Sequence, residues 1–349
     1  MDLSFYKNKV VLVTGHTGFK GAWLSKILLM HGAKVVGYAL QPPTEPNLFS
    51  ILQLEKQMVS VIADIRDLKK LDQVFNKYQP EIVFHMAAQP IVRESYKEPV
   101  YTYDVNVMGT VNVCECVRTH SGVKSFVNIT TDKVYENDDL PDHPFREDEK
   151  LNGYDPYSNS KSCSDILTQS YYKSFLKERG VAVSTVRAGN VIGGGDFAKD
   201  RIIPDAARAL KENQPLVIRN PHSTRPYQHV LEPLACYLLI AKEQYFNPQL
   251  GGAYNVGPDS CDFSKTGNLI ELFAKYVPHF KYEIKSVAGP HEAAFLSLDN
   301  HKIKKVFAWK PKVYLDQAMK LTTEWYSAWK EKEDLIAMTE RQIKEYFHE

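Results

Sequence analysis

The sequence predicts an α/β protein built on a doubly wound parallel sheet, and three observations predict it. Short apolar runs recur along the first half of the chain, amphipathic helical stretches separate them, and the first run leads straight into a glycine-rich turn followed by a helix. The 349 residues leave room for a large core, and length alone suggests about two domains of roughly 150 residues.

Strands are expected at Val10-Thr14, Lys34-Tyr38, Val59-Ala63, Ile82-Met86, Ser125-Thr131 and Val181-Arg187, because each run is apolar and bounded by polar or glycine-containing segments. Between them, Ala22-His31, Leu68-Tyr78, Val100-Thr119 and Ser158-Arg179 carry helical patterns that would cover the two faces of the sheet. Right-handed crossovers follow from the general rule for parallel strands. From Asn190 the character changes: Gly193-Gly194-Gly195-Asp196 reads as a loop, Ile218 to Arg225 is basic, and Pro/Gly breaks recur near Gly257-Pro258 and Gly289-Pro290. Val230-Ala241 reads as a helix and Ala253-Val256 as a strand returning to the sheet, while Leu315 to Phe347 is helical by pattern. Residues 1–189, with 226–256, are therefore assigned to a Rossmann-type dinucleotide-binding domain, and 190–225 with 257–349 to a smaller interwoven substrate lobe ending in a helix.

Charge restricts the partners. Lys plus Arg total 43 against 42 for Asp plus Glu, so no global field recruits nucleic acid or an anionic membrane. The five cysteines lack zinc-type spacing, which favours reduced thiols, and Cys114-x-Cys116 is expected to pack in the core. No metal site is expected. Neither a signal-peptide pattern nor an apolar run of the roughly 20 residues needed to span a bilayer is present, so the expected location is the cytoplasm.

In a doubly wound sheet the ligands lie beyond the carboxyl ends of the strands, so the residues just after each strand carry the chemistry. Gly15-His16-Thr17-Gly18-Phe19-Lys20-Gly21 has G-x-x-G-x-x-G spacing and would bring backbone amides and a helix N-terminus to a pyrophosphate. Asp64, with Ile65 beside it, could accept from an adenine amino group or cap the next helix; Ala87-Ala88-Gln89 supplies small residues where a dinucleotide passes close to backbone. Asn106 is polar within an apolar helical pattern and needs a partner. Tyr157 and Lys161 stand four apart on one helix face, where a cation favours phenolate, and a tyrosine poised nearer neutrality can take a proton from an alcohol. Thr130-Thr131-Asp132-Lys133 follows a strand: Thr131 can hydrogen-bond both a sugar hydroxyl and the tyrosine, Asp132 is a candidate acid and Lys133 a candidate base. In the second lobe Arg201, Arg219 and Arg225 accompany Asn190 and His229, a grouping suited to a nucleotide diphosphate.

These residues, with His85-Met86-Ala87-Ala88-Gln89-Pro90, Asn106-Val107-Met108-Gly109-Thr110, Tyr154 to Lys161, Arg187 to Asp196 and Arg225 to Val230, make Lys9 to Trp329 resemble the nucleotide-sugar dehydratases of the extended short-chain dehydrogenase/reductase family. The resemblance implies NAD as cofactor, CDP-glucose as substrate and a homodimer formed through helices Val100-Thr119 and Ser158-Arg179. It implies roles for Thr130 at the cofactor and for Arg93 and Ser95 at the substrate. It also implies an internal redox cycle, in which Tyr157, assisted by Thr131 and Lys161, deprotonates the carbon-4 hydroxyl as hydride leaves that carbon. Loss of the carbon-5 proton and the carbon-6 hydroxyl follows, with Asp132 protonating the leaving group, and hydride returns at carbon 6 to give CDP-4-keto-6-deoxyglucose. Two departures stand out. Lys133 occupies the place where dTDP-glucose dehydratases carry a Glu that takes the carbon-5 proton, and Val36-Gly37-Tyr38-Ala39-Leu40 offers no carboxylate for a ribose diol, Glu45 being the nearest. A nucleotide-sugar 4-epimerase, a dehydratase of another nucleotide hexose, and a non-catalytic redox sensor are the alternatives.

Overall fold

A computed structural model describes residues 1–138, 143–218, 220–285 and 295–348. Seven strands form one sheet in the order 252–256, 182–188, 125–129, 82–85, 10–14, 34–39 and 59–62. Every neighbouring pair is parallel. The chain builds outward from Val10–Thr14 through Lys34–Ala39 to Val59–Ile62, then crosses back to Ile82–His85 and builds the other way. That reversal puts a topological switch point, the usual place for a ligand, between the carboxyl ends of 10–14 and 82–85.

Each face of the sheet buries its own core. One holds Leu71, Val74 and Phe75 of helix Leu68–Tyr78 with Val113 and Val117 of helix Gly109–Thr119. The other joins Trp23 and Ile27 of helix Phe19–Met30 to Leu234 and Leu238 of helix Leu231–Phe246 and to Trp325 and Phe347 from the tail. Helix starts are chemically marked: Asp67 caps 68–78 by accepting from the Lys70 amide, and Asp155 caps Pro156–Tyr171 by accepting from the Ser158 amide, with proline at the first turn. Among the described residues, no helix is long and apolar enough to cross a membrane.

Three helical expectations need correction. The stretch 100–119 comprises Pro99–Tyr103, a π-helical turn Asp104–Met108 and Gly109–Thr119, and 158–179 ends in a second π-helical turn, Tyr172–Leu176. A π turn accommodates one extra residue without breaking the helix, which a 3.6-residue periodicity does not register. The tail is two helices, Leu315–Glu331 and Leu335–Phe347, because Lys332 adopts a left-handed conformation and Asp334 caps the second segment. Trp325 links them by donating Nε1–H to Thr339 Oγ1 at 3.0 Å.

The tail also pins the glycine loop 193–195. A Cβ on Gly194 would lie 1.9 Å from the Trp325 ring, the Gly194 carbonyl accepts from Trp23 Nε1 at 3.0 Å, and the Asp196 carbonyl accepts from the Tyr326 hydroxyl at 2.6 Å. Buried indole and phenol thus fix the loop that carries Asp196 toward the ligand side.

Candidate active site

At the carboxyl ends of the strands lies a cavity of about 390 Å³. Lys20, Thr131, Asp132, Lys133 and Tyr157 line one end, and Val217, Arg225, Tyr227 and Thr266 reach its other part. The glycine turn enters from below. Gly15 has φ +76°, and a Cβ there would lie 2.8 Å from the Ala87 amide; a Cβ on Gly21 would lie 2.1 Å from the Gly15 carbonyl oxygen. Only glycine at these positions lets strand 10–14, the start of helix 19–30 and Ala87 meet so closely. This cradle, with the unpaired amides of the helix's first turn, fits a dinucleotide pyrophosphate.

His16 turns away from the cavity. It is buried, Nε2 contacts Ser60 Oγ at 2.7 Å, and burial drives its pKa down to about 4. Asp64 does not line the cavity; its carboxylate is held by Arg66 at 2.7 Å, and the cap of helix 68–78 is Asp67 rather than Asp64. Ile65 is core; its carbonyl accepts from Asn112 Nδ2 at 3.0 Å. Asn106 finds the partners its polarity demands: it accepts from the Gln89 amide at 2.8 Å, and donates to the Gln89 carbonyl at 3.1 Å and Ser160 Oγ at 2.9 Å. It therefore clamps the shelf Ala87-Ala88-Gln89 to the helix that carries Tyr157.

Thr131 ends the segment after strand Ser125–Ile129 and donates to Asp132 Oδ1 at 2.9 Å. Lys133 Nζ contacts the same oxygen at 3.3 Å and Asn190 Oδ1 at 3.4 Å. Asp132 Oδ2 is buried with no hydrogen-bond partner, leaving one carboxyl oxygen available for proton exchange. Lys161 donates to the Ile129 carbonyl at 2.8 Å, and burial, reinforced by the Lys20 cation, lowers its pKa to about 7.

The expectation that Lys161 pulls Tyr157 toward neutrality requires revision. Burial raises the phenol to about 12, opposed by the Thr131 hydroxyl and the Arg201 cation, so desolvation outweighs nearby positive charge. A phenol at this level keeps its own proton near neutral pH, so it serves as a base only as the phenolate, which added positive charge beside it would favour.

Of the expected substrate residues, Arg93, Thr131, Asn190, Arg201 and Arg225 line the cavity. Arg201 is held by Asp196 at 3.1 Å. Two expectations are corrected. Ser95 is buried and donates to the Val92 carbonyl at 2.7 Å, satisfied within its own helical turn. His229 is buried edge-on to Trp23 beneath the cavity wall, where desolvation drives its pKa down to about 3. Arg219 lies outside the described residues.

Behind the site runs a charge network that motif reading passed over. Asp165 and Arg187 are buried side by side, joined through Nε at 2.9 Å and Nη2 at 2.9 Å. Asp165 also accepts from Thr130 Oγ1 at 3.2 Å, Thr185 Oγ1 at 3.1 Å and Gln169 Nε2 at 2.7 Å, while Arg187 donates to the Tyr135 hydroxyl at 2.8 Å. The signal was an arginine inside an apolar strand and an aspartate one helical turn past Lys161. Thr130 thereby becomes an anchor of the Thr131-Asp132 turn, tied to the helix of Tyr157 and Lys161.

The family model described as GDP-mannose 4,6 dehydratase matches residues 12–322. CDP-glucose 4,6-dehydratase of Salmonella typhimurium is 44% identical over 99% of this chain and 98% of its own length. dTDP-glucose 4,6-dehydratase of Haemophilus influenzae is 27% identical over 90% of this chain and 97% of its own. Among solved structures, UDP-glucose 4-epimerase of Thermus thermophilus in complex with NAD superposes with TM-score 0.79 at 23% identity, covering 91% of this chain and 99% of that one. The chain belongs to the GDP-mannose 4,6 dehydratase family, within the extended short-chain dehydrogenase/reductases.

Proposed function

We propose that this protein is an NAD-dependent lyase that converts CDP-glucose to CDP-4-keto-6-deoxyglucose. The observation that carries the reading is the junction of Thr131, Asp132 and Lys133 with Tyr157 in one cavity, since oxidation at carbon 4 needs only the tyrosine whereas elimination of water needs a further acid and base. The 44% identity to a CDP-glucose 4,6-dehydratase along nearly the whole chain supports the same choice.

In this mechanism Tyr157, as the phenolate, accepts the proton of the carbon-4 hydroxyl, which Thr131 orients by hydrogen bonding. Bound NAD would supply the hydride acceptor for carbon 4 and the hydride donor for carbon 6. Gly15, Gly18 and Gly21 would form its phosphate cradle, with Thr17 to Lys20 around them and Ala87, Ala88 and Gln89 beside them. Lys161, held by the Ile129 carbonyl, would hold its ribose end. Once carbon 4 is a ketone, the carbon-5 hydrogen is acidic; Lys133, its proton passed to Asp132 across their 3.3 Å contact, would take that hydrogen and return it to carbon 5 when hydride reaches carbon 6. Asp132 would give the proton it received, from its free oxygen Oδ2, to the departing carbon-6 hydroxyl. Arg93, Asn190, Arg201 and Arg225 hold the nucleotide diphosphate, which rests on the lobe formed by 190–225 and 257–349.

The partner surface is proposed from exposed apolar side chains. Val100 and Met108 on one helical segment and Ile166 and Phe175 on the other are 82%, 49%, 51% and 48% exposed, which suits a two-fold homodimer. The proposed setting is the cytoplasm, where nucleotide sugars are made, within deoxysugar and surface-polysaccharide synthesis. Incubation with CDP-glucose, dTDP-glucose, UDP-glucose and GDP-mannose followed by mass spectrometry tests the assignment. Loss of water from CDP-glucose is expected; an isomer of unchanged mass would indicate a 4-epimerase, and no turnover with bound cofactor a sensor. Light scattering at micromolar concentration tests the dimer, and a monomer would refute it.

A further inference from the structure

Two arginines on the cavity wall are each held by a carboxylate of the same loop, and the two pairs differ in how firmly they are made. The loop, 193–201, joins strand Val191–Ile192 to helix Ile202–Glu212 and supplies Asp196 and Asp200. Asp196 is buried; its Oδ1 accepts from the Ala198 amide at 3.0 Å and its Oδ2 lies 3.1 Å from Arg201, which follows on the same loop. The Tyr326 hydroxyl fixes its carbonyl from behind. That pair is part of the wall. Arg93 and Asp200 make the other pair from separate segments, Arg93 on helix Val92–Lys97 and Asp200 on the loop, and their contact is single and long, Nη1 to Oδ1 at 3.5 Å. Both line the cavity, with side chains 35% and 38% exposed.

Length and exposure decide which pair exchanges. A half-exposed single contact holds its partners weakly, because water screens it and takes its place. A guanidinium grips phosphate oxygens with two parallel, charge-assisted hydrogen bonds. A diphosphate at this wall therefore draws Arg93 away from Asp200, while Arg201 keeps Asp196. The released Asp200 carboxylate retains its access to water, so its charge is not stranded in an apolar setting.

We propose that Asp200 is a stand-in anion, which holds Arg93 across the cavity until the diphosphate of the substrate takes its place and reclaims the arginine when product leaves. The inference rests on the reading above in which Arg93 holds the nucleotide diphosphate. Asp200 is then a positioning residue that sets substrate affinity through Arg93 without touching the reacting carbons. An anion that makes only one weak contact does not displace it, whereas a diphosphate does. Product carries the same diphosphate as substrate, so the competing carboxylate loosens both and keeps release from becoming slow.

The test is calorimetric titration of full-length protein with CDP, which carries the diphosphate and has no hexose to react. Asp200→Asn is expected to tighten CDP binding by about threefold, the scale of a half-exposed pair. Asn suits the left-handed backbone at this position, φ +60°, and Asp200→Gly, which adopts it freely, is the second neutral variant should the Asn protein melt at a lower temperature. Repeated in an Arg93→Met background, Asp200→Asn should give a smaller gain, because the arginine for which the two anions compete is gone. Unchanged or weaker CDP binding in the folded neutral variants overturns the proposal. So does a gain as large without Arg93 as with it, which would make Asp200 a bare repulsive charge. Arg93→Met protein that binds CDP as tightly as wild type overturns the reading that Arg93 holds the diphosphate, a result distinguishable from both.

Discussion

Replacing Arg187 by Met would remove the cation from a site that holds two opposite charges away from water. The side chains of Arg187 and Asp165 are 1% and 0% exposed. Met retains much of the aliphatic volume, so the loss is electrostatic and not a cavity. What remains is a buried carboxylate whose other donors are Thr130, Thr185 and Gln169, neutral groups that cannot balance its charge. Breaking one partner of a buried pair costs about 3–5 kcal/mol. The Tyr135 hydroxyl and the Glu147 carbonyl lose a donor as well, which puts the expected loss toward the upper end. At about 2 °C per kcal/mol for a chain of this size, the midpoint of thermal unfolding should fall by about 8 °C. By contrast, an exposed pair such as Arg146 with Asp148, at 64% and 69% exposure, contributes little because water screens it.

Urea unfolding followed by circular dichroism, alongside calorimetry, measures this loss. The double variant Asp165→Leu with Arg187→Met should be less destabilised than Arg187→Met alone, because it removes the orphan charge together with its partner. Turnover should fall as well, since Asp165 ties Thr130, and through it the Thr131-Asp132 turn, to the helix of Tyr157. A loss under about 1 kcal/mol in Arg187→Met, or a double variant as unstable as the single, would refute the reasoning.

Three further outcomes are expected. Tyr157→Phe should abolish turnover while leaving the melting temperature within a few degrees, because the packed ring stays and only the proton acceptor goes; near-normal turnover in the folded variant saturated with cofactor would remove Tyr157 from the mechanism. Asp132→Asn should let carbon 4 be oxidised but stall elimination, so reduced cofactor accumulates in a single turnover with CDP-glucose; dehydration at the wild-type rate would show that Asp132 is not the acid. Acid should destabilise the fold early: His16, His85 and His229 are held at about 4, 3 and 3 by burial. Their folded values lie below the unfolded one, so between about pH 6.5 and 4 the unfolded chain binds more protons and stability falls with pH, by up to about 1.4 kcal/mol per unit for each histidine. His229→Phe should remove one such share from urea curves taken at a series of pH values; an unchanged slope would contradict the assignment.

By itself the sequence determined what local periodicity and short motifs encode. Strand Val10–Thr14 and helix Leu68–Tyr78 fall where the pattern put them, because an apolar run beside a glycine turn and a strong amphipathic stripe are each readable within a dozen residues. The glycines at 15 and 21, the Tyr157 and Lys161 pair and the turn Thr131-Asp132-Lys133 were legible for the same reason. Tertiary structure decided everything that depends on what lies across the fold. It sent Ser95 and His229 into the interior, it gave Asn106 to Gln89 and Ser160, and it set Tyr157 up at about 12 where sequence spacing suggested the reverse. It also revealed the Asp165 and Arg187 pair, 22 residues apart in the chain. Desolvation and long-range charge depend on neighbours distant in sequence, so a pattern that fixes where a residue sits along its own element leaves its partners and its proton affinity to the packed molecule.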